Sequence, residues 1–216
     1  MESSSRERFL QVDRQAFFNE VADKWDKKFD TPKLKCFLSR LLVKFDIKRG
    51  QRILDVGTGT GVLLPHLARA VGPTGTIMAI DFAEKMIEIC KEKIPDFSNV
   101  KVELQNVENL KFPPGLFDAI TCFGLFPHIK NKEKALEEMN RVLKQGGKLI
   151  IAHALSSEQI KEHHQKCSAA IGKDILPDEY EMRQMLRKTG FSTPHITDEP
   201  GCYLCITTKN SPISRV

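Results

Sequence analysis

Ile53-Leu-Asp-Val-Gly-Thr-Gly-Thr-Gly61 is the stretch that decides the fold of this 216-residue chain, because an apolar run of strand type feeds directly into a glycine-rich turn. A helical pattern from Val62 to Val71 follows, and its Pro65 falls within the first turn or so, where proline is tolerated. Glycines at 57, 59 and 61 let the backbone turn sharply and let a ligand approach without meeting a Cβ. The amides exposed by such a turn can serve a carboxylate or a phosphate. A dinucleotide fingerprint would read G-x-G-x-x-G, but position 62 is Val and the spacing is G-x-G-x-G. Asp55, two residues before the first glycine, offers an acceptor for an ammonium group, which a pyrophosphate site would not want.

Four further apolar runs follow, at residues 76–80, 100–104, 119–123 and 149–152. All but the run at 100–104 are near-continuous, as in parallel strands buried on both faces, whereas 100–104 alternates as a peripheral strand would. Helical patterns separate the runs. Residues 83–93 form one, and Asn131 can cap another through Lys144, whose apolar face is Ala135, Leu136, Met139, Val142 and Leu143. Gly146-Gly147 is expected to end that helix. The β-α-β-α rhythm predicts a doubly wound α/β sheet. Asp81, ending the second strand at the same sheet edge as the glycine turn, can accept both ribose hydroxyls of a nucleoside, a device that NAD sites share.

Two regions lie outside this rhythm. Residues 6–47 read as two helices broken near Thr31-Pro32. Residues 156–190 read as two more, the first with a capping-box candidate in Ser156 and Gln159, the second beginning after Pro177 and stopping at Gly190. Residues 191–198 and 201–208 then read as a hairpin around Glu199-Pro200-Gly201.

The polar, charged start of the chain argues against a signal or transit peptide, and no apolar run approaches the roughly 20 residues that span a bilayer. A cytoplasmic location is expected. The net charge is +5, but residues 24–52 alone carry +7. Such a region suits either a solvated helical face or attraction to an anionic substrate, RNA or membrane. Of the six cysteines, Cys90 and Cys122 fall in apolar periodic segments and read as core. Cys202 and Cys205 lie three apart in a strand, so they face opposite sides and are not expected to form a disulfide or share a metal.

Four blocks together resemble the class I S-adenosylmethionine-dependent methyltransferases, especially the small-molecule and quinone-biosynthesis type. They are Leu54-Asp-Val-Gly-Thr-Gly-Thr-Gly61, Ala79-Ile-Asp-Phe-Ala83, Phe117-Asp-Ala-Ile120 and Arg141-Val-Leu-Lys-Gln-Gly-Gly147, where Gln145 replaces a usual proline. The resemblance, over roughly residues 15–155, implies a Rossmann-like, seven-stranded, mostly parallel sheet with an antiparallel last strand and a helical cap. The expected organisation is a single domain, 1–216. Within it lie an N-terminal helical lid (6–47), a cofactor-binding core (50–155), a cap segment (156–190) and the C-terminal hairpin (191–208).

The same resemblance implies S-adenosylmethionine as cofactor, leaving as S-adenosylhomocysteine, with direct in-line transfer of its methyl to a small-molecule acceptor. Asp55, Gly57, Thr58, Gly59 and Gly61 would hold the methionine moiety and Asp81 the ribose. Phe82 and Met86 would pack near the adenine. Asn106 stands where the family often has Asp and would accept from the adenine amino group through its amide oxygen, and Val107 would offer a backbone amide. Phe123 to His128 would face the reactive methyl. Trp25 resembles the lid aromatic that covers the cofactor, although Phe17, Val21 and Trp25 also suit the core stripe of an amphipathic helix.

His128 is a candidate general base or a shaper of the cofactor pocket. His163 and His164 are candidate base or acceptor contacts, or surface and packing groups. His163 and Cys167, four apart, share a helix face, but no further ligands are evident and no metal is expected. The motifs of amide- and exocyclic-nitrogen methylation and of cytosine C5 methylation are absent, so nucleic acid is not the expected acceptor. A catalytically silent binder of the same cofactor and an NAD-dependent oxidoreductase are the alternatives.

Overall fold

The computed structural model describes residues 2–29, 31–93 and 97–211. Two helices open the chain, α1 (Glu2–Phe29) and α2 (Pro32–Phe45). They are followed by β1 (Arg52–Val56), α3 (Leu64–Val71), β2 (Thr76–Asp81), α4 (Glu84–Lys93), β3 (Val100–Leu104) and β4 (Phe117–Phe123). A 3-10 turn at Phe126–His128 leads to α5 (Lys132–Val142) and β5 (Leu143–His153). The chain ends with α6 (Ser157–Cys167), α7 (Glu179–Lys188), β6 (His195–Glu199) and β7 (Cys202–Thr208).

The strands form one seven-stranded sheet in the order β3-β2-β1-β4-β5-β7-β6. β7 pairs antiparallel with both β5 and β6, so it runs against the other six strands. The expected doubly wound sheet with an antiparallel last strand is therefore the one found. Alternating side chains feed two cores, as the period of a strand requires. Leu54, Val56, Ile120 and Leu149 face α5, α7 and Ile160 of α6, while Ile53, Ala119 and Ile150 face α2 and α3. Cys202 and Cys205 fall in opposite cores and are free, as their spacing predicts. Among the described residues, no helix is long and apolar enough to cross a membrane.

Helix boundaries follow local chemistry. Thr31 Oγ1 accepts from the Leu34 amide and starts α2, whose Leu38, Leu41 and Phe45 form one buried stripe. Ser156 and Gln159 make the predicted capping box, and Asp178 and Glu181 make a second at the start of α7.

One expected boundary is corrected. α5 ends at Val142, not Lys144, because Leu143 already pairs with Phe117 across an irregular register. Gly146-Gly147 thus belongs to β5 rather than stopping the helix. A Cβ at Gly147 would lie 2.8 Å from the Lys144 carbonyl oxygen and 3.2 Å from that of Asp118, so the strand closes there only around glycine.

The strand order reverses between β1 and β4. The crevice beyond their carboxyl ends is where doubly wound sheets place ligands.

Candidate active site

At the end of β1 the backbone turns through Gly57, Gly59 and Gly61, all in the left-handed region at φ 69°, 55° and 86°. Close approach adds to the demand for glycine, since a Cβ on Gly57 would stand 2.7 Å from the Leu125 side chain and one on Gly61 2.9 Å from Cys90 Sγ. The Gly57 and Thr58 amides donate to the Ile80 carbonyl at 2.8 and 3.0 Å, tying the turn to β2. Asp81 finishes the fastening. Its two carboxylate oxygens accept from the Gly59 and Ala83 amides, each at 2.9 Å, linking the turn to the start of α4. Burial raises the Asp81 pKa against the pull of these amides. Each oxygen keeps a second lone-pair direction for a ligand hydroxyl.

Asp55 sits beneath the turn, 2% exposed, and its Oδ1 accepts from the Thr121 hydroxyl at 2.6 Å. Its Oδ2 and the Thr58 hydroxyl are buried with no hydrogen-bond partner. Burial pushes the Asp55 pKa up to about 6, with the Thr121 and, more weakly, the Thr58 hydroxyl opposing it. Buried polar atoms without partners are rare enough in folded proteins to require a reason. Here they lie beside a cradle of left-handed glycines, and a ligand ammonium is the partner that fits them.

A cleft of about 530 Å³, counting space open to solvent, extends from the turn. Gly57, Asp81, Phe82, Asn106, Val107 and His128 line it, together with Arg14 and Leu125. The Asn106 amide oxygen accepts from the Glu108 amide at 2.9 Å, so it already serves its own turn and retains one lone pair for a ligand. Met86 and Phe123 are not among the residues lining the cleft, although Met86 shares a cluster with Phe82 and Trp25. Met86 packs between α1 and α4 with Phe18, Ala22 and Ile171, and the Phe123 ring lies 6.4 Å from that of His153.

Of the two N-terminal helices, α1 alone crosses this region, while α2 packs on the sheet beside α3. The Trp25 indole nitrogen lies 3.8 Å from the position a Cβ on Gly59 would take. Next to it, Thr60 donates to Asp26 Oδ1 at 2.6 Å, and Lys93 pairs with Oδ2 of the same carboxylate. Gln15 donates to the Phe82 carbonyl at 2.8 Å, and Asn19 accepts from the Lys85 amide at 3.0 Å. The buried stripe of α1 is Phe18 and Ala22, one residue on from the expected Phe17, Val21 and Trp25, which are half-buried. Phe18 is central because its ring makes edge contacts with Trp25, Phe82 and His128 at 6.0, 5.9 and 5.1 Å.

The histidines separate into two settings. His128, on the turn after β4, has Nδ1 2.9 Å from Asp174 Oδ2. Asp174 is also gripped by Arg14, whose NH2 reaches Oδ1 at 2.5 Å and whose Nε reaches Oδ2 at 3.1 Å. Burial alone would raise the Asp174 pKa, but the bonds and charges of His128 and Arg14 hold it below the usual carboxylate range. An ionised Asp174 can only accept, so His128 Nδ1 carries the proton. Burial holds the His128 pKa below its ordinary value, with Asp174 opposing.

His164 is buried, with Nδ1 2.6 Å from the Asp174 backbone carbonyl and its ring 4.7 Å from that of His128. His163 stands apart, its Nε2 3.3 Å from the exposed Cys167 Sγ. Among the described residues, no group of three or more His, Cys, Asp or Glu is placed to hold a metal.

Sequence reasoning missed Arg14, Asp26, Thr60 and Asp174. Thr60 lay within the glycine motif and could have been found there. Asp174 could not, since nothing local links it to His128, 46 residues away.

The sheet order, the switch-point cleft and the glycine turn define a doubly wound α/β domain with a candidate ligand site at its switch point. Residues 47–190 match the sequence model of the methyltransferase domain, and the chain belongs to that family. It is 38% identical over 169 residues to the ubiquinone/menaquinone biosynthesis C-methyltransferase UbiE of Citrobacter koseri, and 37% identical over the same length to that of Escherichia coli K12. Each match spans 74% of this chain but 65% of the relative's length. Among solved structures, an S-adenosylmethionine-dependent methyltransferase from Aquifex aeolicus superposes with a TM-score of 0.72 at 27% identity, covering 87% of this chain and 97% of that one. A Haemonchus contortus phosphoethanolamine N-methyltransferase shares the fold, with a TM-score of 0.75 at 18% identity, covering 93% of this chain and 59% of that one.

Proposed function

We propose that the protein transfers the methyl group of S-adenosylmethionine to a small-molecule acceptor. The observation that carries this reading is the buried, unpartnered Asp55 Oδ2 beneath three left-handed glycines. An ammonium group satisfies that atom, whereas a pyrophosphate would be repelled by it. The family membership, and relatives named as C-methyltransferases of quinone biosynthesis, support the same assignment.

Asp55 and Thr58 hold the ammonium end, beneath the glycine turn. Asp81 meets the ribose with its remaining lone pairs, and Asn106, Val107 and Phe82 enclose the base. When bound, the cofactor supplies a methyl group already activated on a sulfonium. The protein's own work is positioning and exclusion of water. Trp25 and Phe18 shed solvent from the cradle, and Asp26 fastens α1 to Thr60. We place this activity in the cytoplasm, where the free cysteines suit a reducing compartment.

Calorimetry tests the assignment. Both S-adenosylmethionine and S-adenosylhomocysteine should bind, NAD should not, and Asp81→Asn should weaken both by at least about tenfold, the worth of a hydrogen bond to a charged group. Binding of NAD in preference to the adenosyl ligands would overturn it.

A further inference from the structure

We propose that His128 is the general base of the reaction, held in position by Asp174, and that the acceptor is a nucleophile that must lose a proton, namely a phenol, an enol or a thiol. This rests on methyl transfer as the activity.

The geometry fixes the roles. Asp174, with its side chain 3% exposed, takes Arg14 on both oxygens and His128 Nδ1 on one. With the proton on Nδ1, the one basic atom of a neutral His128 is Nε2, on a residue that lines the cleft beside Gly57 and Leu125. The ring is held between a tilted contact with the His164 ring and an edge contact with Phe18. His164 is itself held by the Asp174 carbonyl, so one residue orients both imidazoles. An acceptor without a transferable proton, such as a pyridine, has no use for this arrangement.

The groups facing His128 come from every neighbouring element. They are Arg14 of α1, His153 of β5, His164 of α6 and Asp174 itself, with Glu108 and Lys130 lining the same cleft and Lys132 of α5 acting on Asp174. Lys132 is turned away onto the Pro127 and Ile129 carbonyls at 3.1 and 2.9 Å. Burial, His164 and Arg14 all favour the neutral imidazole, so the base is free near neutral pH.

In the step, the acceptor O–H or S–H bond breaks and its proton passes to Nε2. The freed electron pair bonds the methyl carbon as the carbon–sulfur bond breaks, leaving its pair on sulfur. The resulting imidazolium lies against the Asp174 carboxylate until it returns the proton to solvent. His128 is the catalytic residue and Asp174 a positioning residue.

Two measurements test this on the full chain. Nitrogen-15 NMR of the uniformly labelled protein, with His128→Gln to assign the ring, should find His128 neutral at pH 7 with its proton on Nδ1. Asp174→Asn should abolish that preference. A proton on Nε2, an imidazolium at pH 7, or an unchanged tautomer in Asp174→Asn would each overturn the proposal.

Methyl transfer from labelled S-adenosylmethionine to a panel of phenols, enols and thiols, with pyridines as proton-free controls, forms the second arm. Turnover should be confined to the proton-bearing acceptors. It should fall about 10²–10⁴-fold in His128→Gln and lose its acid limb there. Turnover of a pyridine, or full activity of His128→Gln, would refute the base. If no acceptor on the panel reacts, the tautomer alone decides. S-adenosylhomocysteine calorimetry on the same samples separates the two readings, because loss of binding by the wild type defeats the methyltransferase assignment, whereas retained binding with the wrong tautomer defeats the dyad alone.

Discussion

Asp55→Asn should make the protein more stable and worse at binding its cofactor. Burial lifts the Asp55 carboxyl from 3.8 to about 6, a shift of about two pKa units. At about 1.4 kcal/mol per unit, the ionised carboxylate costs the folded state about 3 kcal/mol at pH 7.5. The sign follows from the direction of the shift. A carboxyl with a raised folded pKa favours folding fully below about pH 4, and that support is lost as pH rises through about 6. Asparagine keeps the acceptor for Thr121 and removes the charge, but leaves an amide where Oδ2 was unpartnered, at a cost of about 1–2 kcal/mol. The net gain is about 1–2 kcal/mol at pH 7.5, or about 2–8 °C in Tm for a chain of this size. Urea and thermal melts at several values between pH 5 and 7.5 would show the advantage growing with pH. In parallel, S-adenosylhomocysteine should stabilise the wild type more than the variant, since the ammonium loses its counter-charge. A variant less stable at pH 7.5, a pH-independent difference, or equal ligand affinity would refute this account of Asp55.

Three further outcomes are expected. Gly61→Ala forces a Cβ to within 2.9 Å of Cys90 Sγ at φ 86°, and should cost about 1–3 kcal/mol. Adding Cys90→Ala should restore the part due to the clash, read as a partial recovery of Tm. Thr60→Val removes the 2.6 Å bond to Asp26, so backbone amides 14–26 should exchange hydrogen faster and S-adenosylhomocysteine should bind about 3–10-fold more weakly. Trp25 is the one tryptophan of the chain and lies over Gly59, so its fluorescence should shift on ligand binding in the wild type and shift less in Thr60→Val.

The sheet was legible because its evidence is local. Period, length and glycine punctuation place the first four parallel strands of the core within a residue or two, the fifth begins six residues earlier than expected, and Cys202 and Cys205 fall on opposite faces by strand parity alone. The candidate cofactor residues could be grouped for the same reason, since residues 55–61, 81–82 and 106–107 each lie at or just past the end of a strand on one sheet edge. The misreadings arose where tertiary pairing overrides local preference. Leu143 continues the apolar face of α5 in sequence, yet its pairing with Phe117 draws it into β5. On α1, Phe17, Val21 and Trp25 carry the larger side chains, but the face that meets α4 is set by Ala83 and Met86, which select Phe18 and Ala22.

The linkage of Arg14, Asp174, His128 and His164 was not legible, although both histidines were singled out, because these residues are scattered over α1, the turn after β4, α6 and the loop that follows it, and only packing brings them together. That scattering has a mechanical consequence. Arg14 and Asp26 stand on one helix, 12 residues or about 18 Å apart at 1.5 Å per residue. One end grips the buried Asp174 that orients His128, and the other grips Thr60 of the glycine turn. Between them Gln15 and Asn19 hold the start of α4 beside Asp81. A rigid helix cannot leave the cradle at one end and keep its bonds at the other. Any displacement of α1 from the cradle would therefore also take Arg14 from Asp174, leaving that carboxylate with His128 but without its guanidinium partner.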